Sequence, residues 1–246
     1  MASDDVRQPE REIPAEDWSR YTPKAPSNHG LADGAMFGFG RVWRKVHSVA
    51  FGPDAVTPTE VIRAWRENFG SFWPEGNRFL GPGNPLQSGE VGALSLEMPG
   101  GTRLATGVLV LYADDEAFTL VTPHGHMFAG WITFSAFLRD GATVAQAEIV
   151  MRATDPVFEI GLELFGHRRE NRFWEQTLRK LSTHFGAQSE PETSVICLDR
   201  RRQWRYARNI WHNSAVRSVL HLGLAPIQRM SRRAMRGQPT SRRGSG

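Results

Sequence analysis

Residues 155–186 read as one long helix, and that helix constrains everything before it. Asp155 is a good N-cap, Pro156 occupies the first turn, where its missing N–H costs nothing, and Gly186 stands where helices commonly stop. Between these ends Val157, Ile160, Leu164, Trp174, Leu178, Leu181 and Phe185 recur at helical spacings once a polar middle is skipped, giving one apolar stripe. A stripe of that length needs a partner. Most of the chain before it reads as strands, so a sheet wrapped around this helix is the expected arrangement.

The strand candidates are 91–98, 103–112, 117–122, 128–138 and 143–152. Pro99-Gly100-Gly101, Asp114-Asp115 and Arg139-Asp140-Gly141 supply turn chemistry between them, at the spacing of antiparallel hairpins. A meander follows. Further upstream, 35–51 reads as one long strand or two short ones, carried by Phe37, Phe39, Val42, Trp43, Val46 and Val49, with a bulge expected at Gly38 and Gly40. Thr57-Pro58-Thr59-Glu60 is a capping box that opens a helix with Val61, Trp65, Phe69 and Phe72 on one face, ended by Trp73-Pro74. Residues 76–89 form a loop broken only by Arg78-Phe79-Leu80.

The fold class is therefore α+β: a curved antiparallel sheet around a long C-terminal helix, with a basic, partly helical tail. The expected division is a flexible leader 1–34, a central domain 35–186 and an extension 187–246 with a disordered end. In that extension 195–198 reads as a short strand and 200–236 as one or two helices, broken near Gly223 or Pro226.

Charge splits at the same boundary. Residues 187–246 hold 12 Arg, no Lys and three acids, a balance of +9; the whole chain carries +4, which leaves the first 186 residues at −5. An acidic body with a basic end points to an anionic partner. The competing explanation is a compositional preference for Arg, since Lys24, Lys45 and Lys180 are the chain's only lysines. Cys197 stands alone, which excludes an intramolecular disulfide framework and fits a reducing compartment. The N-terminal residues lack the apolar run of a secretory signal, and no stretch of the chain is apolar enough to span a membrane. The expected location is the cytoplasm, with the tail able to hold the chain at the inner face of the membrane.

The order strand, helix, run of antiparallel strands, long C-terminal helix resembles the helix-grip fold of the START-like superfamily, also called SRPBCC or the polyketide cyclase/dehydrase and lipid-transport superfamily, over 35–186. Within it, Thr122-Pro123-His124-Gly125-His126, followed by Gly130 and Phe134, looks like the glycine-histidine segment of a bacterial helix-grip family of unknown function. The resemblance implies a cavity between sheet and long helix for an apolar or amphipathic small molecule, lipid or polyketide-like. Members of the superfamily bind lipids, hormones or polyketides, and some are cyclases, dehydratases or hydrolases. Carrier and enzyme both stay open, and no cofactor is implied.

His124 and His126 are the polar pair of interest: on an extended strand they share a face, which suits two metal ligands or a proton donor and acceptor. A third ligand is missing nearby, and nothing in the spacing brings in His47 or His167, so a turn or pocket rim is the better reading and no metal is assigned. Trp65, Phe69, Trp73, Phe79, Trp131 and Phe134 are the candidates to line a cavity, against ordinary core packing. Asp114, Asp115 and Glu116 belong to a turn. Glu159 and Glu163, with Arg168 and Arg169 nearby, read as a solvated charged face. No phosphate loop, dinucleotide fingerprint or nucleophile elbow occurs.

In the tail, Arg200, Arg201, Arg202, Trp204, Arg205, Arg208 and Trp211 precede an apolar patch at 219–227, and Arg229, Arg232, Arg233 and Arg236 follow it. This composition suits an amphipathic helix on an anionic membrane surface, or equally one packed back on the body with its arginines solvated. Nucleic acid is disfavoured because no binding module accompanies the charge. A third reading makes the chain a protein-interaction module with a filled core. The sequence carries no signal for oligomeric state.

Overall fold

The structure is a computed structural model that describes residues 37–212, apart from 82, 98–100, 102 and 124. The expected leader 1–34, His124, the patch 219–227 and the tail arginines Arg229, Arg232, Arg233 and Arg236 lie outside the described residues.

Strand β1 (Val42–Pro53) alternates as its sequence suggests, turning Trp43, Lys45, His47, Val49 and Phe51 to one side. Helix α1 (Pro58–Glu67) starts at the expected capping box, with the Thr57 hydroxyl accepting from the Glu60 N–H and the Glu60 carboxylate accepting from the Thr57 N–H. A 3-10 turn at Phe69–Phe72 prolongs it, and Val61, Ile62, Trp65, Phe69 and Phe72 are buried. There follow β2 (Arg78–Leu80), β3 (Val91–Glu97), β4 (Arg103–Ala113), β5 (Ala117–Val121), β6 (Phe128–Arg139) and β7 (Ala142–Ala153). Next come α2 (Pro156–Gly161), a π-helical turn at Leu162–Gly166, α3 (His167–His184), β8 (Glu192–Asp199) and a 3-10 segment at Trp204–His212.

The eight strands form one sheet in the order β2-β3-β4-β5-β6-β7-β1-β8, antiparallel at every junction. From β3 to β7 this is the expected meander. The chain after Gly186 returns as the edge strand beside β1, pairing Trp43 with Cys197 and His47 with Thr193, so the sheet continues past the boundary drawn at 186. Gly40 marks no bulge; its N–H bonds the Ala153 carbonyl, and a Cβ there would come within 2.0 Å of the Glu159 carboxylate. Gly130 is equally constrained, because a Cβ would meet the Val150 carbonyl oxygen at 2.1 Å.

Helical residues run without interruption from Pro156 to His184, as expected, but not with one period. The π turn inserts one residue and rotates the preceding segment by about 100° against α3. On α3 the stripe holds: Leu178 and Leu181 are buried, with Trp174 partly so. Before and within the turn it fails. Glu159 and Leu162 face inward, while Val157, Ile160 and Leu164 are 42%, 59% and 72% exposed.

Leu178 and Leu181 join a core that holds α1, the sheet and α3 together. Phe118 stacks on Phe134 at 4.5 Å, and Phe69 meets both edge-on at 5.6 and 5.1 Å. Lys180 adds a bond from its ammonium to the Trp73 carbonyl.

Two substitutions test these constraints by urea denaturation. Gly130→Ala is expected to destabilise the fold by about 2–3 kcal/mol, because the clash is with backbone. Thr57→Ala is expected to cost about 1 kcal/mol through loss of the cap. An unchanged midpoint for Gly130→Ala would contradict the β6–β7 register.

Candidate functional site

The C-terminal half of α3 packs closely on the sheet, and the other half stands off. Between α2, the π turn, the start of α3 and the inner face of the sheet lies a cavity of about 380 Å³. Leu94, Leu96, Val108, Leu120, Ile149 and Met151 line it from the sheet, Leu162, Phe165, Phe173 and Trp174 from the helix, and Phe69 and Trp73 from one end. Val157 and Phe165 line it while remaining exposed, which places them at its mouth.

Of the aromatic candidates, Phe69 and Trp73 line the cavity. Trp65, Phe79 and Phe134 sit behind them in the aromatic core; Phe79, for example, packs edge-on to Phe69 at 4.9 Å. Trp131 borders the cavity, but its side chain packs with Val42, Val121, Val150 and Leu198 on the other face of the sheet. The period of two explains this. Residues 131 and 134 are three apart, so one strand cannot aim both inward.

Few polar groups reach the cavity, and most are engaged by the protein. The Thr122 hydroxyl exchanges bonds with the Gly130 backbone. Asn77 bonds the Glu97 N–H and the carbonyls of Pro74 and Glu75. Arg169 donates to the Glu97 carbonyl. His126 is buried, with Nδ1 3.0 Å from both the N–H and the carbonyl oxygen of Phe128, so its tautomer decides which bond forms.

Glu170 differs from these. It lines the cavity from α3 and pairs with Lys45, which is wholly buried on β1 and also donates to Asn171. Burial raises the Glu170 carboxyl above its usual range, and Lys45 opposes that shift. Beside the pair, the Thr193 hydroxyl donates to Glu175 and so accepts from His47 Nδ1, leaving the buried His47 Nε2 without a partner. Lys45 and Glu170 were not among the candidates. The signal was present in β1, where the inward series Trp43, Lys45, His47, Val49, Phe51 places a charge at a core position.

Glu159 and Glu163 do not form a solvated face. Glu159 is buried, accepts from the Arg41 N–H and pairs with Arg202; burial raises its carboxyl above the ordinary value. Glu163 pairs with Arg41 and Arg202. Arg202 therefore points at the body rather than at a partner. Trp204 and Trp211 are 74% and 67% exposed, Arg200, Arg201, Arg205 and Arg208 are exposed too, and Asn209 fastens the segment to the Thr154 carbonyl at the start of α2. Cys197 is buried, and burial pushes its thiol up, away from nucleophile chemistry. Among the described residues, no group of three His, Cys, Asp or Glu is placed to hold a metal ion, and no helix is long and apolar enough to cross a membrane.

This is a helix-grip fold, with the sheet gripping a long C-terminal helix and a cavity between them. Solved structures similar to it include the KanY protein (10% identity over 58% of this chain and 96% of that one, TM-score 0.46). Others are Ara h 8.0201 (11%, 57% and 97%, 0.39) and the di-domain ARO/CYC StfQ from the steffimycin biosynthetic pathway (9%, 58% and 50%, 0.45). These are likenesses of fold. No protein-family model and no curated protein matches the chain.

The buried imidazoles give a pH prediction. Burial lowers His47 and His126 from 6.5 to about 4, with Lys45 adding to the effect on His47. Each neutral ring adds stability that is complete above pH ~6.5 and lost as pH falls toward about 4, roughly 2 kcal/mol per ring by pH ~5. Glu159 and Glu170, with raised values, work in the opposite direction. Comparing variants isolates the histidine effect: unfolding of His47→Asn should lose about 2 kcal/mol less than wild type between pH ~7 and ~5. Parallel pH curves would refute it.

Proposed function

We propose that the chain binds a hydrophobic or amphipathic small molecule, lipid or polyketide-like, in the cavity between sheet and long helix. The observation that carries this reading is a cavity walled by apolar side chains whose mouth is itself apolar, with Val157 and Phe165 in solvent. Such a site favours a ligand that removes apolar surface from water. An enzyme of the cyclase, dehydratase or hydrolase type is the second reading. It rests on His126, a neutral imidazole in the cavity wall whose Nδ1 lies against the Phe128 backbone, which leaves Nε2 for substrate.

The finer proposal is peripheral contact with an anionic membrane. Exposed Trp204, Trp211, Arg201, Arg205 and Arg208 lie on a segment fastened to the start of α2, and the exposed Val157, Ile160, Leu164 and Phe165 extend along α2 and the π turn. Apolar insertion and attraction to anionic headgroups add in such a surface.

Native mass spectrometry of the purified chain should find a retained or added apolar compound at one per chain. Met151→Trp, which projects an indole into the cavity, should weaken binding at least about tenfold while leaving the circular dichroism unchanged. Binding unaffected by that substitution would place the ligand elsewhere. For the membrane, flotation with phosphatidylglycerol-containing vesicles should fall when Arg201, Arg205 and Arg208 are replaced by Ser together with Trp204→Ser. Equal flotation would refute the contact.

A further inference from the structure

An ion pair at the wall of an otherwise apolar cavity is a costly arrangement, since a buried pair is often no more stable than apolar residues of the same volume. Lys45 is wholly buried and its partner Glu170 nearly so, at 14% side-chain exposure. Leu178, Leu181 and the aromatic core fix the far half of α3, so the pair acts at the end of the helix that borders the cavity. Its position in the cavity wall is its distinguishing feature.

The carboxyl also has capacity to spare. Its Oε2 accepts from Lys45, and the Trp174 side chain supplies another hydrogen bond. A carboxyl group offers up to about four acceptor sites when ionised and keeps acceptor capacity when protonated. Thr122, Asn77 and Arg169 already serve the backbone, Glu97 stands at the exposed edge, and His126, whose Nε2 is open, is a neutral ring. Glu170 is thus the charged acceptor available to a molecule inside.

We infer that Glu170, held by Lys45, recognises the polar end of the ligand, and that this end is a hydrogen-bond donor, a hydroxyl or an amine, on an otherwise apolar body. This deepens the proposal that the cavity is a ligand site and rests on it. Lys45 acts as a positioning residue: its ammonium fixes the carboxyl against β1 and offsets its charge, so that the acceptor faces the cavity at a set point. A donor placed there gains a charge-assisted bond in surroundings poor in water. A ligand without one leaves the carboxyl under-bonded, and discrimination follows from that loss.

The test uses the full chain and two neutral probes of equal size, naphthalene carrying either a hydroxymethyl or an ethyl group at the same ring position, with the anion naphthoate as a third. Calorimetric titration should show the alcohol binding at least about tenfold tighter than the ethyl compound. In the double variant Lys45→Met with Glu170→Leu, which replaces the pair by apolar side chains, that ratio should fall to near one through loss of alcohol affinity alone. Glu170→Gln, which keeps shape and removes charge, should reduce the ratio as well and carries the test if the double variant does not fold. Equal binding of the two neutral probes by the wild type, an unchanged ratio in the variants, or tightest binding by naphthoate would overturn the inference and leave the cavity reading standing. Binding of none of the three would remove that reading, and the inference with it.

Discussion

The edge-to-face packing of Phe69 against the stacked pair Phe118 and Phe134 is the contact on which the upper layer of the molecule depends. Phe69 comes from the 3-10 turn after α1, Phe118 from β5 and Phe134 from β6, so one cluster fixes the first helix to the middle of the sheet. Trp174 packs on Phe134 at 5.5 Å, and the long helix is drawn to the same point. Each such pair contributes about 0.5–1.5 kcal/mol beyond the area it buries. Because the helix is anchored there and at Leu178 and Leu181, its other half is free to stand away from the curved sheet. The cavity is the space that remains.

At that other half charge joins packing: Leu162 sits against Ile149 and Met151, and ion pairs hold the helix on either side of it. Lys45 reaches Glu170 at the start of α3, while Arg41 and Arg202 hold Glu163 in the π turn and Arg202 also holds Glu159 on α2. These ion pairs fix position more than they stabilise, since a buried pair recovers little beyond its own desolvation and partly exposed pairs such as those of Glu163 contribute about 0–1 kcal/mol each. They let the helix sit above an apolar hollow without collapsing into it. The same geometry leaves Val157 and Phe165 at the mouth, where an apolar molecule would meet them first.

Local chemistry made much of this fold legible in the sequence. The capping box at Thr57, the N-cap at Asp155 and the turn residues between the meander strands each act within a few residues, and each element starts or stops where they indicate. What escaped was set by single-residue shifts or by distant partners. The π turn adds one residue without a signature of its own, which sent Val157, Ile160 and Leu164 outward and brought Glu159 in. Trp131 was grouped with Phe134 by composition, although strand parity puts them on opposite faces. Arg202 looked like part of a basic surface, but its partners lie some forty residues earlier in α2 and the π turn. Lys45 could have been found from the alternation of β1, where a charge occupies an inward position; Glu170 could not, because only the fold brings the two together.

The central claim is that an apolar molecule enters the space between sheet and helix, and Met127 and Met151 both line that space. Carbon-13 labelling of the methionine methyl groups gives a direct view of it by nuclear magnetic resonance. Titration with hydroxymethylnaphthalene should shift the Met127 and Met151 methyl resonances in a saturable way, through ring currents from a bound aromatic probe. Resonances for both methyls that stay in place at saturating probe would contradict the account.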